Sequence, residues 1–439
     1  MARGDRPTVS RPRTGRQAVE AVWRMESARI VSTLARFTGD FTLAEDLAQE
    51  ALAEALVAWP RDGVPRNPAG WLLTVGRRRA IDSFRRRSAL DERYAALARD
   101  MGGGGATFGA AGIPPEGAAT DADLLWDPDR IDDDVLAVIF VACHPVLSRE
   151  ASIALTLRVL GGLTSDEIAH AFLVPTATVQ ARITRAKKTL LAAQVPFAVP
   201  APEEYRERLG SVISVLYLIF TEGSTATSGP DWIRPDLARE AIRLTRVLAR
   251  LVPDESEAHG LLALLELTAA RFPARVSDDG EAVLLEQQDR RRWDRAAIRR
   301  GRAALVRAGR VGRGLGAYGI QAAIAECHAL APSVDETDWD RIVLLYEALC
   351  RLAPSPVVEL NRAVAISMAQ GPAAALHVVD DLVAADSLSG SHLLPSVRGE
   401  LLSRLGRSDE ARRELELAVR LAGNERERGL LQRKLAALG

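Results

Sequence analysis

The sequence predicts an all-α protein composed of several helical domains. Ala, Leu and Arg, which are good helix formers, dominate the composition, whereas runs of β-branched residues are short. Apolar residues recur at helical spacing along most of the chain. With 439 residues, of which 47% are apolar, the chain is long enough for about two to four such domains.

Two stretches rich in Gly and Pro divide the helical pattern. The sequence GGGGATFGAAGIPPEGAATDAD, within residues 96–130, cannot bury enough apolar surface to fold and predicts a flexible linker. Residues 195–202, VPFAVPAP, form a second joint, because proline disfavours helix in the residue before it. The predicted organisation is a disordered basic tail at 1–17, helical domains at 18–95 and 131–195, a helical extension at 203–334 and helical repeats at 335–439.

Charge and cysteine content narrow the function classes. The net charge is −1, so any surface that binds nucleic acid must be local. The three cysteines are far apart and form no CxxC pair, which is typical of a reducing cytosol. The basic N-terminus lacks an apolar targeting segment. We expect a cytoplasmic protein without membrane segments, metal, cofactor or catalytic residues, since nucleotide-loop and nucleophile motifs are missing.

The segment that starts at Thr42 predicts an amphipathic helix. Thr42 and Glu45 have the spacing of a capping box, in which the Thr side chain caps the helix and the Glu side chain reaches back. Taken alone, the acidic face of this helix is typical of a surface exposed to solvent. This face carries Asp46, Gln49, Glu50 and Glu54.

The next predicted helix is strongly cationic. Asn67 and Pro68 provide an N-cap and a proline at the first helical position. A helix this cationic is costly unless anions lie beside it, so DNA phosphates and a solvated face are both compatible with it. Its candidate DNA-binding residues are Trp71, Arg77, Arg78, Arg79, Arg85, Arg86 and Arg87.

Residues 164–192 predict a helix-turn-helix. Thr164 and Glu167 form a second capping box at the start of the first helix. The second helix is predicted to begin with Thr176 as its N-cap. Polar side chains near the start of such a helix can reach base edges, and cations near its end can reach phosphates. An unrelated helical hairpin is the alternative. The candidate DNA-binding residues are Thr176, Thr178, Gln180, Arg182, Arg185, Lys187 and Lys188.

Together, these segments resemble the extracytoplasmic-function sigma factors of bacterial RNA polymerase. The segment AEDLAQEALAEALVAW…PAGWLLTVGRRRAIDSFRRR resembles sigma region 2, and GGLTSDEIAHAFLVPTATVQARITRAKKTL resembles sigma region 4. The two blocks occur in the order of the family, with a linker between them. The sequence departs from the family at Leu173, which replaces the usual glycine of the turn.

The resemblance also implies partners and residue roles. The acidic helix of region 2 would bind core RNA polymerase, whose β′ and β subunits are the expected partners, through Asp46, Gln49, Glu50 and Glu54. The cationic helix would meet the −10 promoter element, and the helix-turn-helix would read the −35 element. The expected function is that of an alternative sigma factor in transcription initiation.

The chain continues far beyond region 4, where ordinary members of the family end. Blocks such as YLIFTEGSTATSG and LLEQQDRRRWD resemble the subgroup with a tetratricopeptide-like C-terminal extension, which is thought to control sigma activity. A weak repeat places Gly371 and Gly406 35 residues apart, close to the roughly 34-residue period of tetratricopeptide units. A protein or peptide partner of these repeats is therefore possible.

Polar residues of the extension predict helix caps and hydrogen bonds between helices rather than an active site. They are Glu222, Gln288, Asp289, Arg290, Arg292, Trp293, Asp294, Asp338, Trp339 and Asn361.

Two other functions are compatible with the sequence. The first is a helix-turn-helix regulator that acts without core polymerase and does not require the acidic face at 46–54. The second is a helical-repeat scaffold in which the N-terminal similarity to sigma regions has no role at promoters.

Overall fold

The computed structural model describes residues 15–100, 128–172, 174–224, 235–275, 283, 285–423 and 425–438. Regular structure in these residues is helical and includes no strand, which confirms the predicted all-α fold class. None of the helices in these ranges has the length and apolar character needed to span a membrane. The chain divides into two compact units, one of residues 1–170 and 174–212 and the other of residues 171–173 and 213–439.

The N-terminal part of the chain contains the elements expected for regions 2 and 4. Its helices are α1 (Gly15–Thr38), α2 (Phe41–Asp62), α3 (Pro68–Asp100), α4 (Pro128–Ala142), α5 (Arg149–Val159), α6 (Ser165–Phe172), α7 (Thr176–Ala192) and α8 (Pro202–Ser224), within which the division between the units falls.

The first three helices share a buried core. Ile30 and Leu34 of α1, Trp59 of α2 and Leu72 of α3 are each at most 2% exposed. The ring of Trp59 meets the ring of Trp71 edge to face, with 5.7 Å between the centroids. These apolar contacts fix α3 against α2, and they set which side chains of the two helices face each other.

The start of α2 differs from the prediction. Asp40, not Thr42, is the N-cap, and its carboxylate accepts hydrogen bonds from the backbone N–H groups of Thr42 (2.8 Å) and Leu43 (3.0 Å). Glu45 is therefore not needed at the cap, and its side chain turns to other partners. The predicted cap of α3 is confirmed, because Asn67 Oδ1 accepts from the Gly70 N–H at 3.0 Å.

Both ends of the predicted linker are helical. Helix α3 continues to Asp100, since good helix formers fill the sequence until the first glycine at 102. Helix α4 begins at Pro128, a residue suited to the first turn. The rest of the predicted linker, 101–127, and residues 1–14 of the predicted tail lie outside the described residues.

The helix-turn-helix is formed by α6 and α7. The capping box is confirmed: the Thr164 N–H donates to Glu167 Oε2 (2.8 Å), and the Glu167 N–H donates to Thr164 Oγ1 (3.1 Å). Thr176 is not an N-cap, because α7 begins at this residue and its hydroxyl donates to Asp166 Oδ1 at 2.8 Å. Leu173 lies outside the described residues.

The second unit continues as a series of helices. They are α9 (Pro235–Leu251), α10 (Ser256–Ala269), α11 (Phe272–Arg275), α12 (Arg295–Val311), α13 (Ala317–Leu330), α14 (Trp339–Leu352), α15 (Pro356–Ala369), α16 (Pro372–Ala384), α17 (Leu393–Arg404), α18 (Ser408–Leu421) and α19 (Glu425–Ala436). The capping roles expected for Asp294 and Asp338 are confirmed, since their side chains accept hydrogen bonds from the first turns of α12 and α14.

The two glycines of the weak repeat lie at equivalent places. Gly371 separates α15 from α16, and Gly406 lies between α17 and α18. Their φ angles are +95° and +75°, a region that glycine adopts without steric cost. The glycine spacing thus marks two successive helical hairpins, while their assignment as tetratricopeptide units stays a prediction.

Helices α10 and α13 approach closely at a pair of glycines. A Cβ atom added to Gly260 would lie 2.7 Å from the backbone nitrogen of Gly319, a distance that real Cβ contacts do not show. Backbone cannot move aside as a flexible side chain can. Glycine at 260 is therefore required for this helix crossing.

We predict that Gly260→Ala lowers the free energy of unfolding by about 1–3 kcal/mol, the usual cost of overpacking a core. Gly309→Ala is the matched control, because Gly309 is exposed in α12 and an added Cβ there meets only a Leu315 methyl at 3.8 Å. This control should stabilise the protein by up to about 1 kcal/mol. Chemical denaturation of the full-length variants measures both changes, and equal stability would contradict the close approach.

Candidate polymerase and promoter interface

The polar residues predicted to bind core polymerase share one side of α2. Asp46 and Glu50 are exposed, whereas Gln49 and Glu54 are half-buried. The opposite side of the helix is buried and consists largely of alanines. The sequence therefore placed this acidic face correctly on the outside of the α1–α2 packing.

Part of the acidic face pairs with the cationic helix α3. Arg79 donates to Glu50 Oε2 and to Glu54 Oε2, both at 2.8 Å, and Arg78 donates to Glu54 Oε1 at 3.0 Å. The hydrogen bond from Arg79 is the main reason why the pKa of Glu54 is lowered. Two predicted DNA-binding residues thus contact two predicted polymerase-binding residues.

The other predicted residues of α3 have different surroundings. The guanidinium of Arg77 lies over the Phe37 ring, 5.7 Å from its centroid. Arg85 and Arg86 are exposed, and Arg86 Nε donates to the Asp82 carbonyl at 3.3 Å. The side chain of Arg87 lies outside the described residues. The exposed end of α3 is consequently where the cationic surface faces solvent.

Helix α7 separates an apolar side from a polar side. Val179 and Ile183 are buried, as predicted, at 1% and 7% exposure. The outer side carries Gln180, Arg185 and Lys188, which are exposed, and Thr178 and Arg182, which are half-buried. This order of polar residues before cations is the arrangement that a recognition helix needs.

Lys187 departs from the prediction that it lies on the outer side of α7. Its side chain is only 13% exposed, and its ammonium forms ion pairs with Glu45 and with Asp46, the latter at 2.6 Å. Burial opposes the charge on Lys187, but the two carboxylates outweigh this effect and raise the pKa of the ammonium. A predicted DNA-binding residue therefore lies against the predicted polymerase-binding helix.

A second cation reaches the same place from α5. Arg158 Nη2 donates to Gln49 Oε1 at 2.7 Å, and Arg158 Nε lies 3.6 Å from Glu45 Oε1. The Glu45 side chain is only 2% exposed, so its charge requires these partners. We call the contact formed by Glu45, Asp46, Gln49, Arg158 and Lys187 the α2–α7 clasp.

Sequence reasoning missed Glu45 and Arg158. Glu45 matched a capping pattern, although it also stands next to Ala44 and Ala48 on the buried side of α2. Arg158 is a lone charge in an otherwise apolar stretch, and most of α5 is buried. A charged residue within an apolar pattern was the available signal, since such a residue is buried only when it is paired.

Other contacts support the clasp. The turn at Gly162, whose φ is +64°, runs along α1, and a Cβ added there would lie 3.1 Å from the Trp23 carbonyl oxygen. Arg24 pairs with Glu167, and Arg36 pairs with Asp134 at 3.0 Å. Helices α1 and α2 therefore contact the helix-turn-helix part of the chain over several turns, and the acidic face of α2 is partly covered.

Comparison with known proteins assigns families to three segments. Residues 22–89 match the model of Sigma-70 region 2, and residues 137–190 match that of Sigma-70 region 4. Residues 208–309 match a family of unknown function, DUF6596. The chain is also similar to an uncharacterized protein of Rhizobium meliloti (strain 1021), with 44% identity over 412 residues that cover 92% of each chain. No solved structure matches the chain significantly.

The clasp predicts an energetic coupling between Glu45 and Lys187. In a double-mutant cycle of Glu45→Gln and Lys187→Met, we expect a coupling free energy of about 1–3 kcal/mol, because the pair is shielded from water. Denaturation of the four full-length proteins measures it.

The matched control is the same cycle on Arg61 and Asp62, an exposed ion pair at the end of α2. Its coupling should be much smaller, because solvent screens an exposed ion pair. A Glu45–Lys187 coupling no larger than that of the control would show that the clasp is absent in solution.

Proposed function

Because this chain belongs to the extracytoplasmic-function type of sigma-70 factors, which direct promoter recognition by RNA polymerase, we propose that the acidic face of α2 is its polymerase-binding surface. The surface consists of Asp46, Gln49, Glu50 and Glu54. Core polymerase would offer cationic or hydrogen-bond-donating groups to it.

The observation that carries this proposal is the clasp itself. The acidic face already binds two cations of the same chain, Lys187 and Arg158, and its exposed residues leave room for further partners. A surface that attracts cations from another helix can bind those of a partner protein in the same way. Core polymerase would thus compete with the chain's own α5 and α7.

The two cationic helices would contact promoter DNA. We assign the −10 element to Trp71 and the arginines of α3, and the −35 element to Gln180, Arg182, Arg185 and neighbouring residues of α7. While the α2–α7 clasp is formed, Lys187 pairs with carboxylates and cannot also neutralise a phosphate. Opening of the clasp by core polymerase would therefore release a cation for DNA, which couples the two binding events.

The C-terminal extension would control sigma activity. Support comes from its size and build, since helices α9–α19, with a glycine at the turn of each of two hairpins, all belong to the second compact unit. Stacked helical hairpins commonly serve as binding surfaces for proteins or peptides. The extension would thus act as a regulatory domain within the same chain.

We predict that Asp46→Arg weakens binding to purified core polymerase by at least about tenfold, because it reverses the charge of an exposed carboxylate of the acidic face. Asp62→Arg is the matched control, an exposed carboxylate at the end of the same helix that should leave binding nearly unchanged. Fluorescence anisotropy of labelled protein measures both affinities.

The same variant distinguishes binding through the acidic face from an effect of the clasp alone. Asp46→Arg places a cation beside Lys187 and should disrupt the clasp. If α2 were not the binding surface and only opening mattered, Asp46→Arg would bind core polymerase more tightly than the wild type. That outcome would contradict the proposal.

Removal of the extension should change transcription. We expect a fragment of residues 1–212, which keeps the first compact unit, to differ from the full-length protein by at least about fivefold in promoter-dependent transcription with core polymerase. Circular dichroism and a cooperative melting transition would verify that the fragment is folded. Equal transcription from both proteins would show that the extension does not control activity.

A further inference from the structure

Two arginines of the extension lie over one buried tryptophan, and a third arginine neighbours one of them. Trp293 is only 2% exposed, and the guanidinium carbons of Arg290 and Arg271 lie 4.8 and 5.6 Å from the centroid of its ring. Arg275 of α11 is the third arginine, and its guanidinium lies over the Phe272 ring. We call these three residues the arginine cluster.

The cluster has no counter-charge in the described part of the chain. Arg271 donates to Gln288 Oε1 (3.3 Å), Arg275 donates to the Ser224 carbonyl (2.8 Å), and Arg290 donates to the carbonyls of His328 and Ala331 (both 2.6 Å). These acceptors are all neutral. Proteins normally pair partly buried charges with opposite ones.

An ion-pair group of the same unit shows how a buried charge is usually compensated. The Glu266 carboxylate, 2% exposed, pairs with both Arg246 and Arg300, the latter at 3.0 Å. The same unit therefore balances a buried charge where the role is structural. The arginine cluster differs because its positive charges face one another without a carboxylate between them.

The like charges have a measurable consequence. Burial, together with the neighbouring Arg275 and Arg290, lowers the pKa of Arg271 to about 10. Arg271 nevertheless remains charged at neutral pH. His328 is neutral there, because burial and the charges of Arg271 and Arg290 lower its pKa to about 4. The net charge of the cluster is thus positive and has no counter-charge among the described residues.

Several buried nitrogens in and beside the cluster also have no hydrogen-bond partner among the described residues. They are Arg290 Nη2, Trp293 Nε1 and His328 Nδ1. The first two can only donate, and the neutral imidazole donates from Nδ1 in one of its tautomers. The arginines themselves are half-buried, so solvent reaches the place. A ligand that fits must supply several negatively charged oxygen acceptors.

We propose that Arg271, Arg275 and Arg290 form a binding site for a phosphate group, either free phosphate or that of a phosphorylated small molecule. Guanidinium groups match the oxygens of phosphate geometrically, and a dianion offsets more of the cluster's charge than a single carboxylate. The proposal stands apart from the proposed function, because binding to the extension is measured directly and does not require polymerase.

The test is isothermal titration calorimetry of the full-length protein at neutral pH and low chloride, with inorganic phosphate and glycerol phosphate as separate probes. We expect saturable binding of at least one probe. Tighter binding of glycerol phosphate would identify the source as a phosphorylated small molecule, and tighter binding of inorganic phosphate would identify it as the free ion.

Arg271→Gln should weaken this binding by at least about tenfold, the effect of one lost charged hydrogen bond. It should not lower the melting temperature in phosphate-free buffer, because it removes one of three like charges. If this variant does not fold, Arg275→Gln takes its place. Arg299→Gln is the matched control, since Arg299 is exposed on α12 and has the same charge, and its phosphate affinity should equal that of the wild type.

Two results would overturn the proposal. One is the absence of saturable binding in the wild type, or equal affinities of the wild type and Arg271→Gln. The other concerns the carboxylates at 278 and 279, which lie outside the described residues. If only the Asp278→Asn/Asp279→Asn variant binds phosphate, the chain neutralises the cluster with its own carboxylates.

Discussion

The buried carboxylate of Glu45 imposes a constraint on the whole N-terminal unit. A charge that has lost its water must be compensated, and the two cations that compensate it come from other helices, Arg158 from α5 and Lys187 from α7. The position of the helix-turn-helix relative to α2 is thereby tied to one side chain. The α2–α7 clasp is also the contact that core polymerase would have to replace when it binds the acidic face.

This constraint links the two binding surfaces. If the acidic face and the cationic helices were independent, the affinity for polymerase would not affect the affinity for DNA. Because both proposed surfaces include residues of the clasp, a partner that binds the acidic face would lower the cost of exposing Lys187 to DNA. The energy of a shielded ion pair would then contribute directly to how readily the clasp opens.

The extension contains two groups of charged residues that differ in whether they have a counter-charge. The buried charge of Glu266 is compensated by Arg246 and Arg300, as expected of a group that only supports the fold. The arginine cluster has no counter-charge in the described part of the chain, and buried donors of Arg290 and Trp293 have no hydrogen-bond partner there. The sequence marked Arg290 and Trp293 as polar residues of the extension and assigned them to structural contacts. Only the tertiary structure brings Arg290 together with Arg271 and Arg275 and so creates a group of like charges.

The sequence alone determined the helical fold class, the two sigma regions, the acidic face of α2 and the exposed side of α7, because helix periodicity and capping residues are local properties. It also placed Gly371 and Gly406 at equivalent turns. Only the tertiary structure decided that Glu45 is buried and that the Lys187 side chain is largely shielded from solvent. These facts depend on residues far apart in the chain, and the burial of a charge is set by which helices meet rather than by the spacing within one of them.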